Sequence, residues 1–123
     1  MPIEHIALDE QAIEIQFHGL IQFDELVESY QYVLSQKIAF LLLDGQNMMY
    51  RLETLFDEQI LGYIKQLIEQ PTYRKTIIVL PKKNPLRQVV NELYANLGVS
   101  DKVQFVETNE QGRLLIQHLQ AGN

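Results

Sequence analysis

The chain contains no cysteine, so disulfide bridges and thiolate metal sites are excluded and nothing points to an oxidising compartment. It has no apolar stretch near the roughly 20 residues that a membrane-spanning helix needs. Met1-Pro2-Ile3-Glu4 also lacks the basic start of a secretion signal, and the expectation is a cytoplasmic protein without a membrane span. Basic residues are scarce, 10 Lys and Arg against 16 Asp and Glu, leaving a formal net charge of −6. An acidic chain has little with which to neutralise phosphates, so nucleic acid is not an expected partner. There is no glycine-rich phosphate loop, and the three histidines (His5, His18, His118) stand at no metal-ligand spacing, so neither a metal nor a cofactor is expected. Ser29, Ser35 and Ser100 are expected on a helix surface, a helix end and a loop, with no nucleophile motif around them. No catalytic residue is assigned.

What is present is a chain of 123 residues, enough for one domain that buries roughly two-thirds of its unfolded surface. Its strongest element is Ala39-Phe40-Leu41-Leu42-Leu43-Asp44-Gly45, an unbroken apolar run of the kind found in parallel strands covered on both faces. Ligands and partners of such sheets gather beyond the carboxyl ends of the strands, which directs attention to residues 46–53.

Ile13, Ile15 and Phe17 alternate with Glu14, Gln16 and His18, predicting a strand with one buried face. Ile6 and Leu8 predict a partner strand, and the gap Asp9-Glu10-Gln11 is short enough for an antiparallel hairpin. The period then turns helical over Phe23, Leu26, Val27, Tyr30 and Leu34. A second helix is expected from Thr54, its N-cap, to Pro71, with Gly62 placed for close approach to a neighbouring element. Thr76-Ile77-Ile78-Val79-Leu80 is a further buried strand. Asn84 and Pro85 then start a helix that Gly98 stops, Val103–Val106 is a short strand, and Thr108 with Gln111 caps a terminal helix.

The resulting order, β-β-α-β-α-β-α-β-α, describes an α/β fold with a mixed, mostly parallel five-stranded sheet and four helices. With the strand end Phe17-His18-Gly19-Leu20, the buried strand closing on Leu43-Asp44-Gly45 and the short helix after Val103-Gln104-Phe105-Val106-Glu107, it resembles the STAS domain, in particular its SpoIIAA-like branch, over a single domain at residues 1–123. The resemblance implies a non-enzymatic regulatory module of the bacterial anti-sigma factor antagonist type, with a protein partner. The related CRAL-TRIO fold implies a carrier of a small apolar, lipid-like ligand as one alternative, and an anion- or nucleotide-binding domain is the other. In the phospho-regulated antagonists the strand equivalent to residues 40–44 leads to a phosphorylatable Ser or Thr at the start of the next helix; here Thr54 is the only aliphatic hydroxyl nearby, and its expected role is that of an N-cap, without a phosphoserine switch.

Two candidate surfaces follow. The first is an interaction loop comprising Asp44, Gln46, Asn47, Met48, Met49, Tyr50 and Thr54, in which three large side chains in a row cannot all enter a core. Self-association as a homodimer through that loop is one form the interaction can take. The second is an anion-binding candidate, Lys82, Lys83, Asn84 and Arg87, where two ammonium groups meet the amino end of a helix. Charge is split accordingly: twelve acidic and three basic residues up to Tyr73, four acidic and seven basic after it.

Overall fold

The computed structural model describes residues 2–122. The chain runs β1 (Ile3–Asp9), β2 (Ala12–Leu20), α1 (Phe23–Gln36), β3 (Phe40–Met49), α2 (Leu52–Leu55), α3 (Glu58–Glu69), β4 (Lys75–Val79), α4 (Leu86–Asn96), a 3₁₀ turn (Ser100–Lys102), β5 (Val103–Val106) and α5 (Asn109–Ala121). The expected order is present, with the single turn α2 added ahead of the second long helix. The five strands form one sheet in chain order, β1 antiparallel to β2 and every other pair parallel.

Local chemistry sets the ends of these elements. Asp9 closes the β1–β2 hairpin by accepting the Gln11 amide at 2.7 Å. At the start of α4 the Asn84 Oδ1 accepts the Leu86 amide at 2.9 Å, and Gly98 ends that helix with φ +74°. Thr108 and Gln111 form the expected reciprocal cap of α5. The cap expected at Thr54 is displaced: Thr54 lies inside α2, and Asp57 caps α3 by accepting the Gln59 amide at 2.8 Å. An Asp three residues further along can reach the free amides, and a bend at Phe56 separates the two helical segments.

Because sheet order follows chain order, each crossover from β2 to β5 steps the same way, and right-handed connections then put their helices on one face. Leu26, Ile64 and Leu86, from α1, α3 and α4, accordingly share a core with Ile13, Ile15 and Phe17 of β2. The opposite face is left to α5, whose Ile116 packs on Ala12, Phe40, Leu42, Ile77 and Val79. There the helix lies so close that a Cβ on Gly112 would stand 2.6 Å from Leu42 Cδ1.

Three expectations are corrected here. The strand β2 is buried on both faces over its first half, since α5 covers Glu14, which is 0% exposed. Ser29 is buried on the sheet side of α1, where its hydroxyl meets His5 Nε2 at 2.9 Å. Gly62 has no atom within 4 Å of where a Cβ would be, so no close approach explains it. Among the described residues no helix is long and apolar enough to cross a membrane.

Candidate functional site

The segment expected to be an irregular loop after Asp44 is strand up to Met49. It pairs with β2 through Gln16↔Asp44 and then His18↔Asn47, so β3 carries one extra residue between the two pairs. Such a bulge reverses which side successive side chains face. Met48 therefore turns inward with Leu43 and Tyr50 packs beside it, while Met49 turns to solvent at 63% exposure. The bulge lies where a Cβ on Gly45 would come to 3.1 Å from Leu80 Cδ2, so glycine suits the position.

Met49 is not isolated. Its register partner Leu20 is 37% exposed, and Leu52, three residues on at the start of α2, is 49% exposed. Leu20 and Met49 lie side by side as an exposed apolar surface at the carboxyl ends of β2 and β3, and Leu52 follows Met49 in the chain. Gln46 and Asn47 are exposed on the same stretch, with the Gln46 amide held by Asp44 Oδ1 at 3.1 Å. Thr54 is half-buried within α2. Periodicity did not single out Leu20 and Leu52, because their exposure depends on where the sheet stops and α2 begins.

Behind this surface is an apolar cavity of about 80 Å³ between the sheet and α1, α3 and α4. Met48, Leu55 and Phe56 line it on the side of the apolar surface, Leu43 and Ile78 form its floor, and Tyr30 and Tyr94 are its polar-tipped members. Burial raises the pKa of both phenols, so they remain neutral at physiological pH.

The opposite face of the same strands is polar. Glu14 Oε1 accepts Arg113 Nε at 2.7 Å, while Oε2 accepts from Gln16 and, at 2.8 Å, from Asn109 Nδ2. Asn109 Nδ2 also donates to Asp44 Oδ2 at 3.0 Å, linking the two carboxylates. Burial by itself would raise the Glu14 pKa; the hydrogen bonds from Arg113, Gln16 and Asn109 and the Arg113 charge outweigh it and hold the group below its ordinary value. Glu14, Asn109 and Arg113 were missed in the sequence. The available signal was the spacing of Asn109 and Arg113, one turn apart on α5.

Lys82, Lys83, Asn84 and Arg87 lie together in a shallow cleft beside Phe105, which Leu20, Met49 and Leu52 do not line. Two of the groups are already engaged. The Asn84 side chain takes the Leu86 amide, and Arg87 donates from Nε to Leu80 O at 3.1 Å with its guanidinium 5.2 Å from the centre of the Phe105 ring. Among the described residues no cluster of His, Asp or Glu is placed to hold a metal ion.

This architecture has known counterparts. The anti-sigma factor antagonist SpoIIAA in its unphosphorylated form superposes with a TM-score of 0.62 at 9% identity, covering 94% of this chain and 96% of that one. The phosphorylated form of the Bacillus cell fate determinant SpoIIAA gives 0.61 at 10% identity, over 93% and 98%. An uncharacterised protein of the DUF3478 family with a SpoIIAA-like fold, from Shewanella loihica PV-4, gives 0.56 at 16% identity, over 89% and 87%. No family model and no curated sequence matches. The class is therefore one of architecture: the chain has a SpoIIAA-like, STAS-type fold, as the order of its elements implied. At these identities the likeness concerns the fold, and activity has to be argued from the surface.

Proposed function

We propose that the protein is a non-enzymatic regulatory module of the cytoplasm that binds a protein partner, with Leu20, Met49 and Leu52 as the centre of its contact surface and Gln46 and Asn47 at the rim. The observation that carries this reading is the exposure of the register partners Leu20 and Met49 at the carboxyl ends of adjacent strands, with the exposed Leu52 three residues further along the chain. Contiguous exposed apolar residues ringed by polar ones mark contact surfaces, and methionine adapts readily to a partner's shape. SpoIIAA is known in phosphorylated and unphosphorylated forms. In this chain Thr54 is half-buried in a single helical turn, which supports a surface that works without a phosphorylation switch.

The test is site-specific cross-linking in cells with a photoreactive analogue at position 49 and, as control, at the exposed Glu28 of α1. The reading expects one discrete protein adduct from position 49 that Leu52→Lys abolishes, with intact mass showing Thr54 unmodified. A second copy of this chain as the adduct would identify the interaction as self-association. Equal adducts from positions 49 and 28, or none from 49, would refute the surface; stoichiometric phosphate on Thr54 would refute the switchless reading.

A further inference from the structure

Met48 and Met49 are consecutive residues with opposite destinations: Met49 is on the exposed surface, whereas Met48 lines the cavity behind it. Leu52 and Leu55 repeat the pattern within α2, the first exposed and the second lining the cavity. One short segment thus forms both the outer surface and one wall of an apolar pocket. We propose that this cavity is a binding site for a small neutral apolar group, an aromatic ring or a branched hydrocarbon of up to about six carbon atoms, and that filling it moves α2 and with it Met49 and Leu52.

The size follows from the volume. A dry apolar cavity of roughly 150 Å³ accepts a benzene ring, and the free space here is about 80 Å³. The remainder can come from Met48, whose unbranched thioether side chain repacks readily, and from Phe56. Neutrality follows from the lining, which contains no carboxylate, ammonium or guanidinium group. Glu14, Asp44 and Arg113 are linked on the opposite face of the sheet, and the two cavity phenols are held in their neutral form. A charged ligand would have no partner inside and would remain in water.

Movement follows from how weakly α2 is held. It is a single turn of four residues with no side chain capping its amino end and no buried residue, and Leu55 and Phe56 are half-buried where it meets the cavity. Displacing Leu55 outward carries Leu52 with it. Ligand binding stands independently of the interaction reading, whereas its effect on a partner rests on that reading; the experiment therefore uses the protein alone.

Benzene is titrated into the methyl- and amide-labelled full chain, with decanoate as the longer-chain arm. The proposal expects saturable benzene shifts in the methyls of Leu43, Leu55, Ile78 and Leu93. The amides of Met49 and of Leu52 to Leu55 should follow the same curve, while Leu42, Ile77 and Ile116 on the α5 face stay still. Val90→Leu and Leu93→Phe, two separate fillings of the cavity, should each weaken benzene binding at least about tenfold, roughly 1.4 kcal/mol. Unchanged α5-face methyls would show that either variant has folded. Non-saturating shifts, shifts spread over both faces, or benzene affinity unchanged in folded filling variants would overturn the site. Saturation by decanoate with none by benzene would overturn the ligand class. Cavity methyls that saturate while the α2 amides stay silent would overturn the coupling.

Discussion

The two faces of the sheet are built from alternate residues of the same strands, yet they solve different problems. On one face α1, α3 and α4 cover the strands with apolar side chains and leave a cavity beside Met48 and Phe56. On the other, α5 alone covers the centre, lies on Leu42 at a glycine, and is joined to the strands by the Glu14, Asn109, Arg113 and Asp44 network. Three helices meeting over a twisted sheet leave space among them, whereas one helix can settle until its backbone meets the strand. The looser face is the one that reaches the exposed apolar surface, and the tighter face anchors the sheet beneath it.

The difference should be largest in the core. Leu42→Ala, under α5, is expected to cost about 3 to 5 kcal/mol, and Ile78→Ala, beside the cavity, about 2 to 3, because neighbours that border free volume can relax into the gap. Urea denaturation of both variants measures this. Equal losses would mean that the two faces are packed alike.

The ion pair gives the next largest effect. Arg113→Ala is expected to cost about 1 to 3 kcal/mol near neutral pH; a broken buried pair costs more, but the Arg113 side chain is 44% exposed and partly screened by water. Glu14 has a folded pKa below its ordinary 4.5, so its contribution is fully present above about pH 4.5 and is lost as pH falls through the folded value. The penalty of Arg113→Ala should therefore shrink as pH falls below 4.5. His5, which burial holds below 6.5, titrates in both proteins and cancels in the difference. A penalty independent of pH would assign Arg113 a packing role.

Two glycines sharpen the contrast. Gly112→Ala must displace the fully buried Leu42 and should cost about 1 to 3 kcal/mol. Gly62→Ala on α3 meets open space and should stabilise by about 0.4 to 1 kcal/mol, through helix propensity and a less flexible unfolded chain. Thermal melts of the two variants, moving in opposite directions, would confirm the difference between the faces; a loss at Gly62 would show that α3 is also tightly seated.

The smallest pair concerns the start of α3. Asp57→Ala should cost about 0.5 to 2 kcal/mol, and Thr54→Ala under about 0.5, since Asp57 makes the capping bond. The reverse order would restore Thr54 as the cap.

Much of the frame was legible in the sequence because it is written in short-range terms. The hairpin at Asp9, the start of α4 at Asn84, its stop at Gly98 and the Thr108 cap each depend on residues within about four positions of one another. The site was legible only in outline. Asp44, Gln46, Asn47, Met48 and Met49 were singled out because they close or follow a buried apolar run, but their sides could not be assigned, since a bulge shifts facing without any mark in hydrophobic period. Glu14 read as a solvent-facing residue because the alternation of β2 says which side chains oppose one another and leaves open whether the second face is covered.

Sequence alone determined the order of the elements, most of their ends and the presence of a doubly covered central strand, because backbone preference and side-chain period act over one or two turns. Tertiary structure decided the rest. Arg113 meets Glu14 across 99 residues, and the separation of Met48 from Met49 depends on a bulge against β2. The cavity depends on how three helices fit over one sheet, which becomes definite only when parts distant in the chain compete for the same space.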